Sequence, residues 1–194
     1  MITPPAKPRV ESTVLAVIDV QMGFVKPSSE HAVPAVTQLL KAWQGVGGAS
    51  VIASFCNPAG SPYETISGWT RLRSPEEVAL APSLIGLAEQ ATMRFTKSTS
   101  NLFLAEGVLN AFRASGWTDV LLCGIDTDSC VLDTAIGAYH HGITPWLVTD
   151  ACASSGGVRF HDAALELAAR NLGSHLLVTS SQARSWLTPS GGAR

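Results

Sequence analysis

The chain has 194 residues, 46% of them apolar and 14% charged, and a formal net charge of −2. That length suits one domain with a full core, and that balance excludes a disordered chain. No Lys/Arg run and no apolar run of membrane-spanning length is present, so neither nucleic acid nor a membrane is expected as a partner.

The opening stretch MITPPAKPRVEST is polar and Pro-rich, without the apolar segment of a secretory signal, which points to the cytoplasm. TVLAVIDV (13–20) reads as a buried strand, apolar without alternation. HAVPAVTQLLKAWQGVG (31–47) reads as a helix closed by glycine, with Pro34 confined to its first turn. SVIASFC (50–56) is a second strand. The segment 57–77, rich in Gly, Pro, Ser and aromatics, reads as a long irregular loop, and loops of that length are usually functional. ATMRFTK (91–97) is a weaker third strand. A helix is expected around 101–115, a strand at 119–123, a helix at 128–141, a strand at 143–149, a helix at 158–172 and a strand at 175–179. The tail SWLTPSGGAR reads as frayed or used in contacts.

Strand–helix alternation predicts an α/β fold: three αβα layers around a six-stranded, mostly parallel sheet. The reading is one domain over 1–194 with its core at about 13–179, and neither a repeat nor a linker interrupts it. In open α/β sheets, ligands bind at the carboxyl ends of the strands, where strand order reverses. Asp19 closes the first strand, Lys97 closes the third, and Cys130 opens the helix after the fourth. An acid, a cation and a thiol could converge there on one pocket.

The four cysteines, Cys56, Cys123, Cys130 and Cys152, form no C-x-x-C pair and read as free thiols rather than zinc ligands. Cys123 sits within a strand run and reads as core. Cys130 lies in GIDTDSCVLDTA (124–135), with Asp126, Asp128 and Asp133 close by in sequence. Thr127 or Asp128 is expected to cap the following helix, which leaves Cys130 in its first turn, where free N–H groups favour an anion. Lys97 would add positive charge. A thiol so placed suits deprotonation by a neighbouring carboxylate, although a small buried core cysteine is an equal reading of the local sequence.

VIDVQMGF (17–24), Lys97 in RFTKSTSNLF, LLCGIDTDSCVLDTAIGAYHHG and WLVTDAC (146–152) together resemble the isochorismatase-like cysteine hydrolases. The resemblance covers about residues 13 to 179. It implies strand order 3-2-1-4-5-6 and a triad of Cys130, Asp19 and Lys97. It also implies a non-proline cis peptide at Ile125–Asp126 and an oxyanion hole from the N–H groups of Asp126 and Cys130. A homo-oligomer, dimer or tetramer, is implied as well.

Nicotinamidases of this family carry a metal-binding Asp-x-His and a further His after the second strand. Here SFCNPAGSPYETISGW holds no histidine, so no metal and no cofactor is expected. True isochorismatases lack the thiol, so Cys130 favours C–N bond hydrolysis. Gln21 and Phe24 are implied to bind substrate or line the pocket, Phe24 being readable equally as core. Tyr63 and Trp69 read as pocket lining or as packing beneath the loop, and Thr127 as a substrate contact. Arg71 and Arg73 read as solvated charges or as holders of an anionic group. His140 and His141 read as complements to a helix dipole.

The sequence therefore points to a cofactor-free, cysteine-dependent amidohydrolase that cleaves a small amide or ureido substrate through a thioester. The alternatives are an ester or vinyl-ether hydrolase of the same family, or a non-catalytic domain that binds a small ligand.

Overall fold

A computed structural model describes residues 7–187 of the chain. Six parallel strands form one sheet in the order β3-β2-β1-β4-β5-β6. β1 (Thr13–Ile18) lies between β2 (Ala49–Phe55) and β4 (Asp119–Ile125) and is buried along its whole length. A central strand with helices on both faces has no solvent side, which is why its apolar run shows no alternation. β3 (Met93–Lys97) alternates half-buried and exposed residues up to a buried Lys97, as suits an edge strand. The other edge, β6 (Leu177–Val178), is two residues long, shorter than the expected 175–179. β5 (Thr144–Ala153) runs past the expected 149 because it bulges against β4: Leu122 pairs with Leu147, but Gly124 pairs with Cys152.

α1 (Ala32–Gly45) buries Ala32, Val36, Leu39, Leu40 and Trp43, a single stripe at helical spacing, against the sheet. Each such large side chain contributes roughly 1.5–3 kcal/mol by leaving water. The segment 57–77 is less irregular than expected. It holds two one-turn helices, α2 (Pro62–Thr65) and α3 (Pro75–Val78). Each starts with Ser-Pro, and Ser61 and Ser74 accept the N–H of Glu64 and Glu77. α4 (Ile85–Glu89) precedes β3. The expected helix at 101–115 is broken into a 3₁₀ turn (Leu102–Leu104) and α5 (Val108–Ala114), because Gly107 takes φ 79° between them.

β4 leads into a π-helical turn, Thr127–Val131, and then α6 (Leu132–His140). α7 (Val158–Ala168) and α8 (Ser180–Ser185) complete the fold. Trp186 packs its ring on Trp146 at 5.4 Å, so the start of the tail docks on its own chain. The rest of the tail, and the first six residues, lie outside the described residues. No helix among the described residues is long and apolar enough to cross a membrane.

Gly124 fixes the approach of β4 to β1. A Cβ there would lie 2.0 Å from the Ile18 carbonyl oxygen, and φ is +133°. Only glycine tolerates both conditions. The Ile125–Asp126 peptide that follows is cis.

Candidate active site

The chain leaves β1 through Asp19 at φ 50°, a left-handed conformation in which a non-glycine residue is strained. Its N–H still donates to the Ala53 carbonyl at 3.1 Å, so the turn is anchored to β2. Asp19 is fully buried, and Lys97, at the end of β3, is 2% exposed. Lys97 Nζ donates to Asp19 Oδ2 at 2.6 Å and to the Thr99 carbonyl at 3.0 Å. It also lies 5.2 Å from the centre of the Phe55 ring. Asp19 Oδ1 is buried and makes no hydrogen bond of ordinary geometry. Besides Lys97, the Cys130 thiol and then the Phe55 backbone bear on this carboxyl.

Burial pushes the Asp19 carboxyl up, and Lys97 and then Cys130 oppose that shift without cancelling it. Burial works to lower Lys97, but Asp19 and then Cys130 hold it above its ordinary value, so it stays charged. Burial raises the Cys130 thiol far above its usual range; Asp19 adds to this and Lys97 opposes it. At rest the thiol is therefore neutral, next to a buried carboxylate more basic than usual.

The three aspartates near Cys130 in sequence do not govern it. Asp126 accepts the Ser155 N–H at 2.5 Å and the Ser155 hydroxyl at 2.8 Å. Burial pushes Asp126 up to about 6. Asp133 accepts the Ser100 hydroxyl, and Asp128 is exposed. The capping expectation is also corrected. Asp126 holds the N-cap position and makes no side-chain cap bond, while Thr127 lies inside the turn. The turn closes with the Val131 N–H on the Asp126 carbonyl at 3.0 Å, which leaves the Cys130 N–H ahead of the hydrogen-bond ladder.

Cys130 lies on the wall of a cavity of about 370 Å3 that opens between the strand ends and the 57–77 segment. Phe24, Phe55, Tyr63 and Trp69 line it together with Asp126. Phe24 stacks on Trp69 at 6.3 Å, and Phe55 meets Tyr63 edge-on at 5.2 Å. Such contacts add about 0.5–1.5 kcal/mol per pair beyond area burial. For Phe24, Tyr63 and Trp69, packing and pocket lining are thus one role.

Two expected substrate contacts are turned elsewhere. The Gln21 amide donates to the Phe55 carbonyl at 3.0 Å and the Val78 carbonyl at 2.8 Å, and accepts the Phe55 N–H at 2.7 Å. It has no donor left for a ligand and instead ties β2 and α3 to the Asp19 turn. Thr127 is fully buried and bonds through Oγ1 to His161 Nδ1 at 2.8 Å. Arg73 is engaged by Glu64 at 2.9 Å and by the Asn57 carbonyl at 3.0 Å, whereas Arg71 lines the cavity.

Sequence reasoning missed Phe55, Ser155, Lys26 and Leu72 as cavity residues. The strand-end rule applied to β2 and β5 would have found the first two. Leu72, at φ 60°, has no sequence signal, since a left-handed leucine is unexpected. Among the described residues, no group of three or more His, Cys, Asp or Glu side chains is placed to hold a metal ion.

The isochorismatase domain model matches residues 13–181. Isochorismatase domain-containing protein 2A of Mus musculus is 49% identical over 39 residues, a stretch that spans 20% of this chain and only 19% of that protein. A cysteine hydrolase from Pseudomonas syringae pv. phaseolicola 1448A superposes with a TM-score of 0.78 at 17% identity, over 96% of this chain and 98% of that one. N-carbamoylsarcosine amidase from Thermoplasma acidophilum gives 0.74 at 20% identity, over 87% and 96%. Nicotinamidase from Bacillus subtilis gives 0.74 at 23% identity, over 86% and 99%. At these identities the structural likeness is one of fold, while the domain match covers nearly all the described chain. The chain belongs to the isochorismatase-like hydrolase family.

Proposed function

We propose that the protein is a cysteine-dependent amidohydrolase acting on a small amide or ureido compound. The observation that carries this reading is the buried Lys97–Asp19 pair beside Cys130, with Asp19 Oδ1 left without a hydrogen bond of ordinary geometry. A packing cysteine needs neither partner. A general base needs a free lone pair and a raised pKa, and Asp19 has both.

In the proposed cycle Asp19 takes the thiol proton as Cys130 Sγ attacks the carbonyl carbon. A neutral resting thiol couples proton transfer to attack, so no thiolate has to persist. The N–H groups of Asp126 and Cys130 stabilise the oxyanion, a contribution of about 3–4 kcal/mol per donor in comparable sites. Asp19 passes its proton to the departing nitrogen, the C–N bond breaks, and a thioester remains. Asp19 then takes a proton from water, the hydroxide displaces sulfur, and the proton returns to Cys130. Lys97 keeps Asp19 anionic between steps. These residues complete the cycle without a cofactor. The amidases among the structural neighbours are in keeping with this class. A homo-oligomer, dimer or tetramer, belongs to the same proposal and is checked by sedimentation.

The test is ammonia release across nicotinamide, N-carbamoyl amino acids, maleamate, biuret and aliphatic amides, with wild type and Cys130→Ala side by side. Release by wild type alone is expected. Equal release by both proteins contradicts the proposal. Hydrolysis of esters with every amide left intact moves the reading to the ester-hydrolase alternative.

A further inference from the structure

We propose that Lys26 and Arg71 select substrates in which the amide-bearing body also carries a carboxylate. The reacting end rests on the amidohydrolase reading; the anion site rests on the charges of the cavity wall.

Three charged side chains line the cavity: Lys26, Arg71 and Asp126. Asp126 is already engaged by both donors of Ser155. The Lys97–Asp19 pair behind the wall is internally compensated. Glu77, the partner of Arg71, is not part of the lining, so the wall carries two cations against one carboxylate.

Lys26 is held by its backbone. Its N–H donates to Ser29 Oγ at 2.9 Å, and its carbonyl accepts the N–H groups of Ser29 at 2.8 Å and Glu30 at 2.7 Å. Ser29 Oγ in turn donates to the Phe24 carbonyl at 2.8 Å, which fixes this turn to the aromatic wall. The side chain is half-buried, and no acceptor among the described residues pairs with its ammonium. Arg71 is fixed in the same manner, its carbonyl accepting Asn57 Nδ2 at 3.1 Å. Its side chain bonds Glu77 through Nε alone, at 3.1 Å, which leaves the terminal edge of the guanidinium free for a carboxylate.

Arg73 is the internal contrast. It sits two residues away, is held by Glu64 and the Asn57 carbonyl, and does not line the cavity. Of these three cations, Lys26 and Arg71 reach the cavity, each with donors to spare, and Arg73 does not reach it. An aromatic wall beside them lowers the local dielectric and strengthens their pull on an anion. A neutral ligand would cover the Lys26 ammonium without pairing it, which opposes binding. A cavity of about 370 Å3 restricts the class to small molecules, such as monoamides of short dicarboxylic acids and ureido acids.

The experiment is calorimetry on Cys130→Ala, which binds without turnover, using the monoamides from malonamic to adipamic acid and their methyl esters. At least one acid should bind about tenfold or more tightly than its ester, a preference that weakens with salt. Lys26→Gln and Arg71→Gln should each cut the acid-to-ester ratio by about fivefold to tenfold, Lys26→Glu should abolish it, and Lys26→Arg should retain it. Equal binding of acids and esters, no binding of any acid, or variants that weaken acid and ester alike would overturn the inference. Charge-selective binding without ammonia release by wild type leaves the anion site standing and removes the hydrolase reading. Ammonia release that ignores the carboxylate does the reverse.

Discussion

At the inner wall of the cavity, Asp19, Lys97 and Cys130 stand on the ends of β1 and β3 and on the turn after β4, each at most 5% exposed. At the outer wall, Tyr63 and Trp69 are half-buried and Arg71 is exposed, all on the segment between β2 and α3. The inner wall is fixed by the sheet itself, through strand register and a buried ion pair. The outer wall is fixed by serine caps, Asn57, and one glutamine amide that reaches across from the inner wall. The proposed chemistry, which tolerates little misplacement, would thus sit on the rigid frame, and the proposed selectivity on the segment whose side chains can change without disturbing the sheet.

The sharpest way to break the inner wall is Asp19→Asn. It removes the carboxylate that raises Cys130 and leaves Lys97, which lowers it. Turnover should fall about 1,000-fold or more, because no base remains for thiol or water. Alkylation of Cys130 by iodoacetamide should nevertheless speed up, followed in a Cys56→Ser background because Cys56 is the more exposed thiol. Lys97→Met should slow alkylation instead. Slower alkylation in Asp19→Asn would show that the carboxylate does not hold the thiol protonated.

Gln21→Ala separates the two walls. It strands the Phe55 N–H and carbonyl and the Val78 carbonyl, and should cost about 2–4 kcal/mol in urea unfolding. A loss under about 0.5 kcal/mol would mean that the amide does not join the walls.

Asp126 lies at the seam, and burial holds its folded pKa at about 6, above the ordinary carboxylate value. The sign follows from the raised value. The stability this group contributes is fully present below about pH 4 and is lost as pH rises through 6, a change on the order of 2 kcal/mol after solvent screening. In Asp126→Asn the urea midpoints at pH 4 and pH 7 should differ correspondingly less. An unchanged difference would remove Asp126 as its source.

Trp69→Ala, on the outer wall alone, should raise KM about tenfold with kcat within a few fold. Loss confined to kcat would place the ring in the chemistry rather than in binding.

Much of the inner wall was legible in the sequence. Asp19, Lys97 and Cys130 fall at strand ends, where parallel sheets collect ligands, and the GIDTDSC block marks the turn. What stayed hidden depends on distant partners. Gln21 bonds residues 34 and 57 positions away, and Thr127 bonds a histidine 34 positions away. Nothing local announces either contact. The helix expected over 101–115 failed at Gly107, where a left-handed turn overrode the apolar periodicity. The outer wall carried a signal that went unread: Ser-Pro-x-Glu occurs at 61–64 and again at 74–77, and each instance starts a one-turn helix.

The central claim is that Cys130 carries the acyl group. Acid-quenched wild type, sampled during turnover of its best amide and read by mass spectrometry, tests it most directly. The account predicts an adduct of the acyl mass on the Cys130 peptide, labile to hydroxylamine and absent from Cys130→Ala, which releases no ammonia. An adduct on another residue, or ammonia release by Cys130→Ala at the wild-type rate, would contradict it.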